Sequence, residues 1–270
     1  MIYISYGVTK SASTFLYQMT EEILSLSGKD FVRIQPKGVR KLENYYDVIT
    51  GPFLDRVADT VGNRNVVLKT HGALRPEVAA RIAAGEVLAS ASIRDPREIA
   101  LSMIDNGVRA RAVGLMPFAE IHTAQDTFMS IDNQMDYFQA WAAVPGVEVF
   151  TYNQICFDAA ATVARVADQL GVRVDPQRVL APFSSKGMIG QFNVGKAQRY
   201  QDMDAATQAL FLERYAALYA RLDVNGLPAQ AEPAAGSARP RGFLVHRFDN
   251  ARRFLRRLRT ARGIFIVEPD

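Results

Sequence analysis

The chain contains only one cysteine, one tryptophan and three histidines among 270 residues. Cys156 alone cannot close an internal disulfide, which fits a reducing compartment. Three scattered histidines and one thiol give no cluster with metal-ligand spacing, so no metal is expected. No run of about eighteen apolar residues occurs, so nothing reads as a membrane span. The N-terminus lacks the charged, apolar and small-residue succession of a secretory leader, and Ile2 to Tyr6 reads as a strand instead. A cytoplasmic protein is the expectation.

Apolar residues make up 49% of the chain, enough for one good core and an appendage. The formal charge of +4 is unevenly spread. Nine arginines and one acid, Asp249, lie between Arg239 and Arg262, so the basic balance belongs to the tail. Apolar runs at 2–6, 31–34, 65–69, 87–93 and 147–152 alternate with helical patterns at 14–26, 52–61, 76–84, 97–106, 132–143 and 158–170. That alternation predicts an α/β fold with a mainly parallel sheet flanked by helices. Residues 108–131 read as an irregular connection, either an acceptor-binding lid or simple packing over the core. Residues 204–222 read as one helix. A domain over 1–225, a linker over 226–242 rich in Ala, Pro and Gly, and a tail over 243–270 complete the division. In the tail, Leu244, Phe248, Ala251, Leu255 and Leu258 fall at helical spacing with arginines between them, a basic amphipathic helix. It could lie on an anionic membrane as a peripheral contact at the inner face, or dock on its own or a sister subunit. No motif that reads nucleic acid accompanies it.

The chemistry concentrates at strand ends. Ile2 to Tyr6 feeds Gly7-Val8-Thr9-Lys10-Ser11-Ala12-Ser13-Thr14-Phe15, a small-residue turn opening a helix. Unpaired backbone N–H groups, the helix dipole, the Lys10 charge and the hydroxyls of Ser11, Ser13 and Thr14 make a phosphate cradle. A second run ends in Lys69-Thr70-His71. A third ends in Arg94-Asp95-Pro96, with Ser102 about two turns into the helix that follows. In open parallel sheets ligands bind beyond the carboxyl ends of the strands, so one crevice can gather these groups. Cys156 reads as a buried small apolar residue at a strand end.

In these residues the chain resembles the sulfotransferases that use 3′-phosphoadenosine 5′-phosphosulfate (PAPS). Their first loop, Lys-Ser-Gly-Thr-Thr-Trp, is matched by Lys10 to Phe15, their Lys-Thr-His by Lys69 to His71, and their Arg and Ser eight apart by Arg94 and Ser102. The stretch Val149-Phe150-Thr151-Tyr152-Asn153 is similar to the strand whose Tyr approaches the adenine. The resemblance spans roughly residues 1–225 with the motifs in family order. It implies a P-loop-kinase-like three-layer sandwich and sulfuryl transfer from PAPS to a hydroxyl of a carbohydrate, lipid-linked sugar or small metabolite.

In that reading His71 is the general base, because a neutral imidazole suits a hydroxyl nucleophile near pH 7. Lys10 neutralises the bridging oxygen as the leaving group departs, and Lys69 assists. Arg94 grips the 3′-phosphate in a forked geometry with Ser102, unless it pairs instead with Asp95 or Glu98. Three departures stand out. Ala12 replaces a glycine, so its backbone must avoid a positive φ or accept strain. Phe15 replaces a Trp, and Gly72 follows the His. The family's C-terminal Arg-Lys-Gly motif fits two registers, 186–192 or 193–200. The second assigns cofactor contacts to Gly195, Lys196 and Arg199, and neither keeps the Arg-Lys pair. Two rivals remain. A P-loop kinase or NTPase shares the first loop's physics, although Gly7 sits too close to Lys10 for the full pattern. A non-catalytic nucleotide-binding adaptor would use the same loop for binding alone.

Overall fold

In the computed structural model, residues 1–35, 44–183, 196–227 and 264–269 are described. Short, largely buried apolar runs build the strands, and β1 to β5 are each followed in the chain by a helix. The elements are β1 (Ile2–Gly7), α1 (Ser13–Leu26), β2 (Phe31–Gln35), α2 (Gly51–Val61), β3 (Asn65–Thr70), α3 (Pro76–Ala83) and β4 (Val87–Ile93). They continue with α4 (Pro96–Ala112), α5 (Phe128–Ala142), β5 (Val147–Thr151), α6 (Tyr152–Phe157), α7 (Ala159–Gln169) and α8 (Pro176–Leu180). The last are α9 (Ala205–Arg214), α10 (Ala216–Arg221) and β6 (Ile264–Ile266).

The sheet runs β5-β4-β1-β3-β2-β6, and every pairing is parallel. β1 is central, with β3 on one side and β4 on the other, so the winding reverses at its carboxyl end. That reversal opens a crevice there.

The two faces of the sheet differ. Ile4, Tyr6 and Val8 with Leu68, Ala89, Ala91 and Ile93 form one face, whose core includes residues of α2, α3 and α5. Tyr3 and Val67 join the opposite face, packed on α1, α7 and α8. Alternation puts Ser5, Lys69, Ser90 and Ser92 on that second face, and all four are buried. This face is therefore apolar at its base and polar where the strands end.

Several boundaries differ from those the sequence predicts. The helix expected over 97–106 continues to Ala112, and α5 starts at Phe128, so only 113–127 is irregular, ending in a single 3-10 turn. The polar residues of the second half of α4 hid its continuation. The helix expected over 204–222 is two, broken at Tyr215. Tyr215 is tied to Asp132 by its hydroxyl, 3.0 Å, and tertiary packing overrides the local pattern. Tyr152 opens a helix rather than ending a strand, because Thr151 and Gln154 make a capping box. Cys156 accordingly lies on α6 and is partly exposed.

The largest correction is at the C-terminus. Ile264–Ile266, placed by the sequence reading in the appended tail, adds a sixth strand beside β2. An unpaired sheet edge is a liability, and this β-branched run covers it. Val267 donates to Gln35 O at 3.0 Å, and the Phe265 ring lies 4.2 Å from the Arg64 guanidinium. The stretch 239–262, with its expected amphipathic helix, lies outside the described residues. Among the described residues no helix is long and apolar enough to cross a membrane.

A Cβ on Gly7 would sit 2.3 Å from Ser92 Oγ and 2.4 Å from Ser13 Cβ. Gly7→Ala is expected to lower stability by about 1–3 kcal/mol, as overpacking does, read as a shift of the urea midpoint at unchanged m-value.

Candidate functional site

The turn between β1 and α1 is knotted to its surroundings by backbone bonds. Val8 N donates to Ser92 O at 2.9 Å, and Ser11 N donates to Val8 O at 3.2 Å. The Ser11 hydroxyl donates to Val8 O at 2.6 Å and pairs with Ser92 Oγ at 2.8 Å. From the opposite side, Gln134 Oε1 of α5 accepts from Thr9 N. Two non-glycine residues in this turn are left-handed, Lys10 with φ 71° and Ala12 with φ 65°. Ala12 therefore accepts the strain, as residues at functional turns do. It is also the N-cap of α1 and offers no side-chain acceptor, so no cap takes the N–H groups of Ser13 and Thr14, while Phe15 N donates to Ala12 O at 2.9 Å.

Beneath that turn, Lys69 is 3% exposed, and its Nζ donates to Thr14 Oγ1 at 2.7 Å. Residues 44–46 run beside the end of β3, with Tyr46 N donating to Lys69 O at 2.9 Å. They bring the Tyr45 ring to 5.4 Å from the His71 ring. His71 Nδ1 contacts Gly7 O. A carbonyl only accepts, so Nδ1 carries the hydrogen and Nε2 holds the lone pair. Burial, with Lys69 next, pushes the His71 pKa down to about 4. The Gly7 carbonyl and Asp47 pull the other way, and Lys10 adds to the depression. Gly72 has no room for a side chain, since a Cβ would lie 1.9 Å from Asp47 O. Its carbonyl accepts from Trp141 Nε1 at 3.1 Å. That packing accounts for glycine after His71.

On the other flank, Arg94 leaves the end of β4 and lays its guanidinium 3.8 Å from the Tyr152 ring centre. Its Nη2 meets Glu98 Oε2 at 2.6 Å, with both side chains buried. Its Nη1 reaches Lys10 O only at 3.5 Å, and its Nε is buried with no hydrogen-bond partner. The expected surface pair is thus a buried one that leaves donors over. Ser102 is buried one turn beyond Glu98. Lys10 Nζ sits 4.7 Å above the Phe118 ring. Burial, then Arg109 and Lys69, lower the Lys10 pKa to about 8. Arg109 is itself shifted down by burial, with Arg199 adding to it and Asp105 opposing. Several cations are thus gathered in one partly buried place.

The structure thus brings Lys10, Ser11, Ala12, Ser13, Thr14, Lys69, His71, Arg94 and Ser102 around one set of strand ends. Phe15 packs edge-on to Phe183 at 5.3 Å, within the apolar cluster of the second face. Arg199 reaches Asp105 of α4 at 2.9 Å, whereas Lys196 is exposed. Gly195 and the 186–192 register lie outside the described residues. Sequence reasoning missed Tyr45, Arg109, Phe118 and Gln134, and named Glu98 only as a surface partner of Arg94. For α4 the signal was present: Arg94, Glu98, Ser102, Asp105 and Arg109 recur at three- and four-residue steps, one polar helix face. Phe118 and Gln134 carry no such signal, because chain folding alone brings them to the turn. Among the described residues no group of three or more His, Cys, Asp and Glu side chains is placed to hold a metal ion.

No protein-family profile and no curated protein sequence matches this chain. Solved structures do resemble it. Retinol dehydratase in complex with androsterone and the inactive cofactor PAP gives a TM-score of 0.50 at 16% identity, covering 84% of this chain and 82% of that one. Mouse sulfotransferase SULT7A1 complexed with PAP gives 0.56 at 12% identity, covering 83% and 86%. Retinol dehydratase with retinol and PAP gives 0.51 at 15% identity, covering 84% and 82%. At such identities the likeness is one of fold, and the chain has the P-loop-kinase-like sandwich of these structures.

His71 binds fewer protons in the folded state than in the unfolded one between about pH 4 and its ordinary value near 6.5. Stability contributed by the neutral ring is therefore present above 6.5 and lost as pH falls toward 4. Urea midpoints of the wild type are expected to drop more steeply across that window than those of His71→Asn. Imidazole resonances of His71 should titrate with a midpoint near 4.

Proposed function

We propose that this chain is a sulfotransferase that moves the sulfuryl group of PAPS to a hydroxyl acceptor. The observation that carries the reading is the convergence at one crevice of an uncapped helix N-terminus, two lysines, a histidine of fixed tautomer and a buried arginine with unused donors. PAPS fits that donor set. It carries phosphosulfate and 3′-phosphate charges, where the protein offers a strand-turn-helix cradle and, on the far side of Lys10, Arg94. Burial first, and neighbouring cations after it, depress the pKa values of Lys10 and His71, as expected of a partly desolvated cationic site.

When bound, PAPS supplies an activated sulfuryl group with a nucleotide phosphate as leaving group. The first-turn N–H groups of α1, with the hydroxyls of Ser13 and Thr14, hold the phosphosulfate, and Ser11, whose hydroxyl donates to Val8 O, contributes by bracing the turn. Lys10 and Lys69 neutralise charge on the departing oxygen, and Thr14 fixes where the Lys69 ammonium points. Arg94 and Ser102 hold the 3′-phosphate, with Arg199, Lys196 and Gly195 as further nucleotide contacts. Tyr152 and Phe15 supply aromatic faces for the adenine. His71 Nε2 takes the proton of the acceptor hydroxyl as the oxygen attacks. A pKa near 4 keeps the ring neutral and ready in the free protein, and the negative charges of the ligand raise its basicity where the proton is taken. The acceptor is a carbohydrate, a lipid-linked sugar or a small hydroxylated metabolite; retinol and androsterone in the structural neighbours are alcohols too. The tail serves as a peripheral membrane or subunit contact of a cytoplasmic enzyme.

Calorimetric titration with PAP (3′,5′-adenosine bisphosphate), beside ADP with magnesium, tests the reading. PAP is expected to bind and ADP not. Arg94→Ala should weaken PAP at least about tenfold, the scale of a lost charge-assisted pair. ADP binding alone would move the protein to the kinase class.

His71→Asn separates binding from chemistry. It should bind PAP as the wild type does, yet lower sulfuryl transfer by about 10²–10⁴-fold. Radiolabelled PAPS with a panel of sugars, sterols and phenols reads that loss, and normal transfer would remove His71 from the base role.

A further inference from the structure

Resting on the PAPS reading above, we infer that Glu98 is a positioning residue that aims Arg94 at the 3′-phosphate and ties that contact to the segment at Tyr200. Glu98 stands in the first turn of α4, four residues after Arg94, which precedes the helix, and one turn before Ser102 on the same face. Its two carboxylate oxygens do different jobs. Oε2 meets Arg94 Nη2 at 2.6 Å, and Oε1 accepts from Tyr200 N at 2.9 Å. The carboxylate is 5% exposed and the guanidinium 7%, so neither is held by solvent.

An arginine has a long, freely rotating stem and five donors, and it can present its fork in many directions. Two contacts remove that freedom here. The Tyr152 ring fixes the plane of the guanidinium, at 3.8 Å from its centre. Glu98 fixes its rotation within that plane by taking Nη2. What remains is Nε, buried and without a partner, and Nη1, with one long contact of 3.5 Å to Lys10 O. A buried guanidinium N–H without an acceptor is unfavourable in the free protein. Nη1 lies on the Cδ side of the guanidinium and Nε–H on the other, so an anion is met through Nη1 rather than through a fork of the two.

The second oxygen extends the argument to another element. Tyr200 is held through its backbone by Glu98, and its ring lies 3.8 Å from the Arg97 guanidinium. Arg97 is in turn pinned to Asp95 by Nη2 at 2.6 Å, and Asp95 accepts the Tyr219 hydroxyl at 2.9 Å. Glu98 is thus the point at which the 199–202 turn, the start of α4 and the phosphate-facing arginine share one side chain. Arg199, one residue before Tyr200, reaches the same helix face at Asp105.

A carboxylate also repels a phosphate, so the contribution of Glu98 has two parts of opposite sign. Its charge acts across the width of the guanidinium, while its hydrogen bond decides whether Nη1 faces the ligand. Geometry prevails in this reading, because Nη1 is turned to the ligand in only one orientation of the guanidinium. Glutamine cannot replace the carboxylate, since it has one oxygen for two donors. Aspartate keeps the charge and both oxygens but falls one methylene short.

Calorimetry on the full chain with PAP and with AMP, which lacks the 3′-phosphate, provides the test. The wild type should prefer PAP. Glu98→Gln is expected to weaken PAP about tenfold, the scale of one lost charge-assisted contact, and to move AMP less than about twofold. Glu98→Asp should fall between, and it also serves if the glutamine variant does not fold. Unchanged or tighter PAP binding in the variants would mean that Glu98 only competes for Arg94, and overturns the inference. Equal losses for PAP and AMP would mean general structural support, and overturn it too. Equal wild-type affinity for the two nucleotides would overturn the PAPS reading itself.

Discussion

The first turn of α1 meets the ends of β1 and β4 with nothing larger than serine side chains between them. Gly7 contributes no side chain, Ser92 and Ser13 close on either side of it, and Ser11 bonds across to Ser92 at 2.8 Å. Each neighbouring contact depends on this closeness. Lys69 can reach Thr14 from the sheet below because the helix sits low on it. His71 can reach the Gly7 carbonyl because no residue intervenes between the β3 and β1 ends. The left-handed residues Lys10 and Ala12 are the counterpart of the same constraint: the chain has five residues, 8–12, in which to leave the strand and turn into the helix. Strain of this kind persists only where the surroundings over-determine it, and here bonds from Ser92 on one side and Gln134 on the other do so.

Once the strand ends are gathered, electrostatics becomes the opposing force. Lys10, Lys69, Arg94 and Arg109 are brought near one another, and partial burial removes water that would have screened them. The protein answers unevenly. Arg94 receives a buried carboxylate, while Lys10 receives an aromatic face, which is a weaker partner. The remaining imbalance appears as pKa values moved toward the neutral forms. Such an arrangement lowers the stability of the empty protein, and an anionic ligand would relieve it. Stability and binding are linked through the same side chains.

Much of this was readable from order and spacing. The strand runs and the helices α1, α2, α3 and α7 were placed within a residue or two, because buried parallel strands leave plain apolar runs, whereas α4 ran six residues further and α5 began four residues earlier than expected. The positions of Lys10, Lys69, His71 and Arg94 followed from where those runs end. What escaped was non-local. β6 is three residues long and joins the sheet at a distance of more than two hundred residues from β2. No local pattern marks such a pairing. The 113–127 segment is read as irregular either way, but only the fold shows that it crosses α4 at Gly107, where a Cβ would be 2.4 Å from Phe118 O. Arg111 then clamps it through Ala119 O at 2.7 Å and Ile121 O at 2.9 Å. Phe118 lands on Lys10 as a result. The left-handed backbone at Ala12 was foreseen as one of two outcomes, and turn sterics decided it.

His71 occupies the seam between the two sides of the sheet. Its ring packs on Tyr45, which the 44–46 segment holds against β3, while Gly72 behind it is locked by Trp141 from α5. Trp141 also stacks on Tyr6 at 5.0 Å, so the same indole anchors β1. The backbone that carries the imidazole is therefore fixed from both layers, and the Gly7 carbonyl fixes the ring itself. A histidine held in this way has one tautomer and one free nitrogen. For proton transfer that matters more than a basic pKa: a ring free to flip would spend part of its time with N–H facing the acceptor, unable to take a proton. The depressed pKa and the fixed tautomer come from the same burial, and together they leave Nε2 as a vacant, correctly aimed lone pair beside the cationic cradle.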